Sequence, residues 1–283
     1  NLIRTKHLSF LVRMSWSIKL RSCYLPDVTL KHSITRDKRQ MKLKFLLPLF
    51  ASLLFSQYSL AMHHENPATS EGGFTTLMLQ TDNPEAYINT LKSNDSAFKA
   101  TGTAAAGYCL TKIGNNTPGD MFIWSGFPTL ADALASSTKY DPMQSPDSAF
   151  SELRVAKYSV VWKPLMPFKL APGFERMIRV VVPQADRMEF VSQMSQAQQG
   201  LYDAGYKMNL GVFEPIGGGA VEANIIQVRA IAATPSDFGK VLDDFYAGSV
   251  DMGGDHWLAA MSLVDEITSD YIQECAQIYT AEG

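Results

Sequence analysis

Few residues of this sequence have the types and spacing of a familiar catalytic site. Of its five histidines, only His63, His64 and His256 lie beyond residue 61, where the folded protein is expected to begin. The sequence contains no Cys-x-x-Cys pair, no His-Glu-x-x-His pair, no Gly-x-x-x-x-Gly-Lys-Ser/Thr loop and no Gly-x-Ser-x-Gly turn. The triplet Gly217-Gly218-Gly219 is interpreted as a hairpin loop. No catalytic residue is assigned.

His256 and Trp257 stand at the predicted start of the last helix. Asp255 has the side chain of a helix N-cap, so that Trp257 is expected to pack inward and His256 to face solvent. Both are also candidates for lining a ligand pocket.

His63 and His64 suggest a copper site if the exported chain begins at Met62. A free α-amine, two backbone nitrogens and the imidazole of the third residue can surround a Cu(II) or Ni(II) ion in the tetragonal geometry these ions prefer. The alternative is a disordered polar tail over residues 62–72.

Aromatic and arginine residues on predicted strands supply a candidate small-molecule pocket. The predicted ligand-binding residues are Tyr108, Trp124, Arg179, Tyr206, Arg229, His256 and Trp257. Packing in a core is the alternative use of the aromatic rings. The strand arginines Arg176, Arg179 and Arg229 require an anionic partner if they face an interior, or they point outward toward Glu175 or the acidic helices.

The N-terminal part of the chain has the pattern of an export signal. Residues 1–40 are basic and lack periodicity, and we expect them not to belong to the mature protein. Residues 41–61 have a basic start, an apolar run and a small-residue cleavage site, which is typical of a signal peptide. The apolar run is shorter than the roughly 20 residues of a spanning helix. The sequence therefore predicts a periplasmic or secreted protein, with no membrane partner after cleavage.

Removal of this leader changes the charge and the cysteine count. Residues 62–283 contain 14 Lys and Arg against 26 Asp and Glu, a net charge of −12, whereas the whole chain carries −3. Such an acidic surface argues against nucleic acid as a partner. Cys109 and Cys275 are the two cysteines that remain, and an even number in an oxidising compartment suggests one disulfide.

Two segments of the chain repeat the same order of landmarks. Gly73-Phe74 recurs as Gly173-Phe174, Gly107-Tyr108 as Gly205-Tyr206, and Phe127-Pro128 as Thr234-Pro235, and the aromatic-led run from Tyr158 recurs from Tyr271. Residues 73–168 and 172–281 are each predicted to form a β-α-β-β-α-β unit, the ferredoxin-like arrangement. In the second unit the last helix is predicted over 255–266 and the last strand over 271–279. The fold class is therefore α+β with two tandem repeats.

This order of elements resembles the dimeric α+β barrel superfamily, which includes proteins similar to antibiotic-biosynthesis monooxygenases. The resemblance covers residues 72–281, and it implies that the two units pack into one barrel. The superfamily also contains haem-degrading enzymes and proteins similar to chlorite dismutases, so that the fold by itself does not select a reaction.

The resemblance has two consequences for single residues. It places the second strand of one repeat beside the fourth strand of the other, and so brings Cys109 near Cys275. A disulfide across this seam is predicted, with two free buried thiols as the alternative. It also implies that His256, beside Trp257, is a candidate haem ligand.

The predicted function is binding of a small apolar or anionic molecule inside the barrel, without an assigned reaction or a required cofactor. One alternative is a cofactor-free monooxygenase or a haem-handling enzyme that uses the same interior. Another is a structural or protein-interaction module with a filled barrel. Since a tandem pair satisfies the packing of two sheets within one chain, a monomer is expected.

Overall fold

A computed structural model describes residues 70–144, 148–248 and 253–281 of the 283-residue chain. The predicted leader and its flanking residues, with His63 and His64, lie outside these ranges. Within them, no helix combines the length and the apolar character needed to cross a membrane.

Each predicted repeat forms a β-α-β-β-α-β unit with additional short helices. The elements of the first repeat are β1 (Gly73–Gln80), α1 (Pro84–Ser93), α2 (Ser96–Thr101), β2 (Ala105–Ile113), β3 (Asp120–Phe127), α3 (Leu130–Lys139), α4 (Ser148–Ser151) and β4 (Val155–Pro164). Those of the second are β5 (Gly173–Val181), α5 (Arg187–Asp203), β6 (Met208–Ile216), a 3-10 turn (Gly219–Val221), β7 (Ile225–Ala232), α6 (Pro235–Ala247), α7 (Gly254–Ser262) and β8 (Glu266–Thr280). The predicted fold class is confirmed.

Local sequence signals explain where the main helices begin. The Asn83 side chain accepts a hydrogen bond from the Ala86 amide, and Pro84 occupies the first turn of α1. Thr234 caps α6 by accepting from the Asp237 amide. These caps satisfy amides that have no partner inside the helix.

The boundary between α7 and β8 was wrong in the sequence prediction. The helix ends at Ser262 instead of 266, and the strand begins at Glu266 instead of 271. The Asp265 amide donates to the Val181 carbonyl, and Glu266 pairs with Val181 across the sheet. Pairing with strand β5 therefore places this segment in the sheet. The sequence pattern around these residues does not indicate this pairing.

The eight strands close into one antiparallel barrel in the order β1-β3-β2-β8-β5-β7-β6-β4. Each repeat contributes four adjacent strands, and the repeats meet at two seams. One seam is the long β2–β8 ladder, and the other is the β4–β6 ladder, which extends only from the Val161↔Ile216 pair to the Pro164↔Phe213 pair. At both seams a second strand pairs with a fourth strand, as the fold prediction requires.

Close packing inside the barrel depends on Gly107. A Cβ atom at this position would lie 2.1 Å from the Ala276 carbonyl oxygen and 2.4 Å from the indole ring of Trp124. The missing side chain on β2 therefore makes room for Trp124 of β3, whose side chain is buried.

Candidate functional site

The described residues enclose a lumen and two gaps under the helices that can hold side chains or a ligand. The lumen lies between the two halves of the barrel. The repeat 1 gap lies between β1, β3 and β4 and the helices α1–α4. The repeat 2 gap lies between β5–β7 and the helices α5–α7.

One end of the lumen is packed around a buried ion pair. Arg229 of β7 lies 2.7 Å from the Glu175 carboxylate of β5, and both side chains are at most 1% exposed. Burial raises the pKa of Glu175, and the Arg229 guanidinium opposes this shift. Four phenylalanine rings surround the guanidinium carbon at 5.5 to 6.0 Å: Phe74, Phe122, Phe168 and Phe213. This end of the lumen is a core.

Cys109 and Cys275 face each other in this packed end. They are register partners across the β2–β8 seam, with Cα atoms 4.1 Å apart and an S–S distance of 2.08 Å. The Nη2 atom of Arg229 lies 3.7 Å from the Cys109 sulfur and 4.0 Å from the Cys275 sulfur. Glu175 also lies close to both sulfurs. With the sulfurs bonded to each other and a guanidinium beside them, this cluster is a poor metal site.

The other end of the lumen contains a polar cavity of about 290 Å³, which we call the mouth cavity. Arg179 of β5 pairs with Glu222, and the Arg179 Nε donates to a Glu222 oxygen at 3.0 Å. The Tyr158 hydroxyl donates to the other Glu222 oxygen at 2.8 Å. Burial raises the pKa of Tyr158 far above its ordinary value. Arg179 and Tyr158 in the wall of the mouth cavity are therefore held by Glu222, which neutralises the arginine.

All three strand arginines form ion pairs with carboxylates of this chain. Arg179 and Arg229 face the lumen, where Glu222 and Glu175 neutralise them. Arg176 points to the outer face and contacts Asp270 at 2.6 Å. Their presence on strands therefore gives no evidence for an anionic ligand in the lumen.

The repeat 1 gap is an apolar cavity of about 190 Å³ with one arginine at its side. Arg154 precedes β4, and its Nη1 donates to the Tyr87 hydroxyl at 2.7 Å while its Nη2 donates to the Pro142 carbonyl at 2.9 Å. Burial raises the pKa of Tyr87 although Arg154 opposes this. The remaining lining is mainly apolar or hydroxylated and includes Leu77, Leu91, Phe98, Ile123, Phe127, Phe150, Thr75 and Ser125.

Arg154 differs from the strand arginines in its partners. Its guanidinium carbon lies 5.8 Å from the Tyr87 ring centre and 5.7 Å from that of Phe150. Over the described segments, no ion pair joins it to a carboxylate. Since a guanidinium has five N–H donors, donors remain for another acceptor.

The repeat 2 gap is smaller, at about 110 Å³, because its helix layer fits the sheet more closely. Helix α5 is continuous over 17 residues, whereas α1 ends at Ser93 and a separate short α2 follows. Gln198 fixes α5 to β6 by donating to the Met208 carbonyl and accepting from the Leu210 amide. Trp257 of α7 packs into the remaining space.

The seven predicted ligand-binding residues do not lie together. Trp124 and Arg229 belong to the packed end of the lumen, and only Arg179 lines the mouth cavity. The other four lie on outer surfaces or in the helix layers: Tyr108 beside an open groove near α1, Tyr206 with its hydroxyl on Asp244, His256 between α7 and α5, and Trp257 in the repeat 2 gap.

Sequence reasoning missed Arg154 and Tyr87. Tyr87 lies on the buried face of α1, and its side chain lines the repeat 1 gap. A signal was present for Arg154: it is a basic residue directly after the apolar residues Phe150 and Leu153, on a segment that must pack inward.

His256 does not fit the role of a haem ligand. Its Nδ1 lies 2.7 Å from the Gln193 side-chain oxygen, in the contact between α7 and α5. It does not line the mouth cavity or either gap. Haem iron needs an axial ligand that faces the haem pocket, and the sole histidine of the described segments faces none of these cavities. No reaction step is therefore derived through haem.

The closed barrel of two ferredoxin-like halves settles the fold. The chain has the fold of a dimeric α+β barrel, with both halves in a single polypeptide. No protein-family model and no curated protein matches the sequence.

Solved structures of similar shape share little sequence with this barrel. A proposed monooxygenase from Lactobacillus acidophilus matches with a TM-score of 0.49 and 11% identity, over 75% of this chain and 96% of its own. A chlorite dismutase variant from Candidatus Nitrospira defluvii matches with a TM-score of 0.48 and 8% identity, over 74% of this chain and 93% of its own. A haem-binding protein from Thermus thermophilus matches with a TM-score of 0.43 and 10% identity, over 74% of this chain and 92% of its own. At these scores the likenesses assign no ligand or reaction to this barrel.

Proposed function

We propose that the protein binds a small, largely apolar molecule with one carboxylate in the repeat 1 gap. The single observation that carries this proposal is Arg154, a half-buried guanidinium beside an apolar cavity with no carboxylate partner in the described segments. An apolar pocket with a few convergent polar groups is the usual form of a small-molecule site.

The environment of Arg154 prepares it for a carboxylate. The hydrogen bonds to Tyr87 and Pro142 hold the guanidinium in place, so little side-chain entropy remains to be lost on binding. Carboxylates form charge-assisted hydrogen bonds with arginine, each stronger than a neutral hydrogen bond. The ligand's acid group would therefore meet Arg154, and its apolar part would enter the cavity.

The walls of the gap favour an apolar ligand body. Leu77 and Ile123 on the sheet face Leu91 and Phe98 on the helices. Burying apolar surface contributes about 25 cal/mol per Å². A ligand ring or short alkyl chain that covers about 100 Å² of this lining would gain about 2.5 kcal/mol from the contact.

The proposal is for binding without an assigned reaction. The hydroxyls of Ser136 and Ser137, which line the gap, donate to carbonyls of their own helix, those of Ala133 and Leu134. An activated serine needs an adjacent base, and among the described residues the lining of this gap contains no histidine or carboxylate. Export, the periplasmic or secreted location and the monomeric state belong to the same proposal.

Calorimetric titration with benzoate tests the proposal. We expect benzoate to bind the wild-type protein, and Arg154→Gln to weaken binding by about tenfold to a hundredfold, since charged hydrogen bonds contribute about 1.5–3 kcal/mol. The matched control is Arg187→Gln, which removes an arginine that pairs with Glu214 at 2.9 Å, outside the lining of the gap. Equal loss in both variants, or no binding to wild type, would contradict the proposal.

A further inference from the structure

We propose that the mouth cavity is a second binding site, for a small uncharged molecule that carries an amide group. This site lies in the lumen and is separate from the repeat 1 gap, and its residues come from both repeats. It does not depend on the proposed function of the gap.

The charges around the mouth cavity are already balanced. Arg179 pairs with Glu222, and Lys157 contacts Asp120 at 2.6 Å at the edge of the cavity. A ligand carboxylate would approach Glu222 and Asp120, and a ligand ammonium would approach Arg179 and Lys157. A charged ligand must therefore lose its hydration without gaining a net countercharge, which is costly. An uncharged polar ligand avoids this cost.

Polar atoms without partners show what kind of polar ligand fits. Gln273 is 1% exposed, its Nε2 donates to the Thr111 hydroxyl at 2.9 Å, and its Oε1 has no hydrogen-bond partner among the described residues. The Ser269 hydroxyl and the Arg179 Nη2 also make no aligned hydrogen bond there, although this Nη2 lies 3.0 Å from a Glu222 oxygen. All three residues line the mouth cavity.

These atoms include both kinds of hydrogen-bonding group that an amide complements. The Gln273 oxygen is an acceptor and takes an N–H, whereas the Ser269 hydroxyl and the Arg179 guanidinium can donate to a carbonyl oxygen. Buried polar atoms are normally hydrogen-bonded, so a ligand that supplies both a donor and an acceptor would satisfy the Gln273 oxygen and the Ser269 hydroxyl, which have no partner among the described residues.

The walls of the mouth cavity fit a flat ligand. The ring of Tyr271 lies 5.9 Å from the guanidinium carbon of Arg179. Met78 and Met177 contribute thioether side chains to the same lining, and thioethers pack well against aromatic rings. An aromatic amide therefore meets both the polar atoms and the walls.

The experiment compares benzamide with benzoate, which has nearly the same shape but carries a charge, in the Arg154→Gln protein. This variant weakens the proposed benzoate site of the repeat 1 gap. We expect benzamide to bind and benzoate to bind at least tenfold more weakly. Ser269→Ala and Gln273→Leu, each added to Arg154→Gln, should weaken benzamide binding about fivefold to tenfold, as loss of one hydrogen bond predicts.

Three results would overturn the inference. They are the absence of benzamide binding, binding that neither Ser269→Ala nor Gln273→Leu changes, and a crystal structure with benzamide present that shows only water in the mouth cavity. Ser269 is a partly exposed strand residue, so Ser269→Ala should fold even if Gln273→Leu does not. Failure of the proposed function has a different signature, because it appears as loss of benzoate binding by the wild-type protein.

Discussion

The Glu175 carboxylate lies 2.7 Å from Arg229 inside the barrel, beside the sulfurs of the seam. This contact connects β5 and β7 at a point where water has no access. The stability of the barrel therefore depends on keeping both members of the pair or replacing both.

Removal of one member of this pair should be more damaging than removal of both. Arg229→Met leaves an uncompensated buried carboxylate, and we expect the free energy of unfolding to fall by about 4 kcal/mol. The double variant Arg229→Met, Glu175→Leu should lose less than the single variant, because no charge remains buried. Urea unfolding of the three proteins measures this, and a double variant less stable than Arg229→Met would contradict it.

The stability of Arg229→Met should depend on pH. Burial raises the pKa of Glu175 in the folded protein, and the variant lacks the guanidinium that opposes this shift. A raised carboxyl pKa means that the folded state holds the proton more tightly than the unfolded state, whose pKa is about 4.3. The stability that protonated Glu175 gives to the folded variant is therefore complete below about pH 4.3, and it is lost as the pH rises through the raised pKa. Urea midpoints of variant and wild type should differ more at pH 7 than at pH 4; an equal difference would show that Glu175 does not titrate in this way.

Cys109 and Cys275 should be oxidised in protein purified from the exporting host. Intact mass after alkylation of the unfolded protein should show no modified thiol before reduction and two after it. Reduction should lower the free energy of unfolding by up to about 5 kcal/mol, since the bond closes a loop with a sequence separation of 166 residues. Two alkylated thiols in the unreduced protein would disprove the bond.

His256 should have no role in haem binding. Its imidazole is held by Gln193 in the contact of two outer helices, so wild type and His256→Ala should give the same absorption spectrum on titration with haem. A Soret band that wild type shows and His256→Ala lacks would contradict this placement.

The exported protein should begin at Met62, after cleavage behind Ala61. N-terminal sequencing of the secreted or periplasmic protein tests this directly. If it begins there, equimolar Cu(II) should give the visible band of a tetragonal amino-terminal complex, and His64→Ala should abolish that band. Any other starting residue removes the predicted copper site and leaves the barrel unaffected.

The order of elements could be predicted because short sequence signals mark where the helices and strands begin. Proline and N-cap residues mark the starts of α1 and α6, and glycine-aromatic pairs recur at the starts of strands in both repeats. The neighbourhood of Cys109 and Cys275 followed from this order once the fold was inferred. Such signals involve residues that are close in sequence, so they can be recognised without knowing any tertiary contact.

The site could not be predicted in the same way, because it depends on partners that are distant in sequence. Strand alternation does not say which residues of β2 face the lumen: Gly107 faces it and leaves space for Trp124, whereas Tyr108 lies on the outer face near α1. The charge of Arg179 is cancelled by Glu222, which lies 43 residues away in a loop. Arg154 gains its importance only because α1 and α2 are separate helices and leave the gap open.

The two seams of the barrel are held together by different kinds of contact. The β2–β8 seam carries the Cys109–Cys275 bond, whereas the β4–β6 ladder ends at Val161. Beyond that point, β4 is held to the opposite repeat by the Tyr158–Glu222 hydrogen bond, at the wall of the mouth cavity. The covalent β2–β8 seam and the shorter β4–β6 seam therefore resist separation of the two repeats unequally, and reduction of the Cys109–Cys275 bond would leave both seams held by noncovalent contacts.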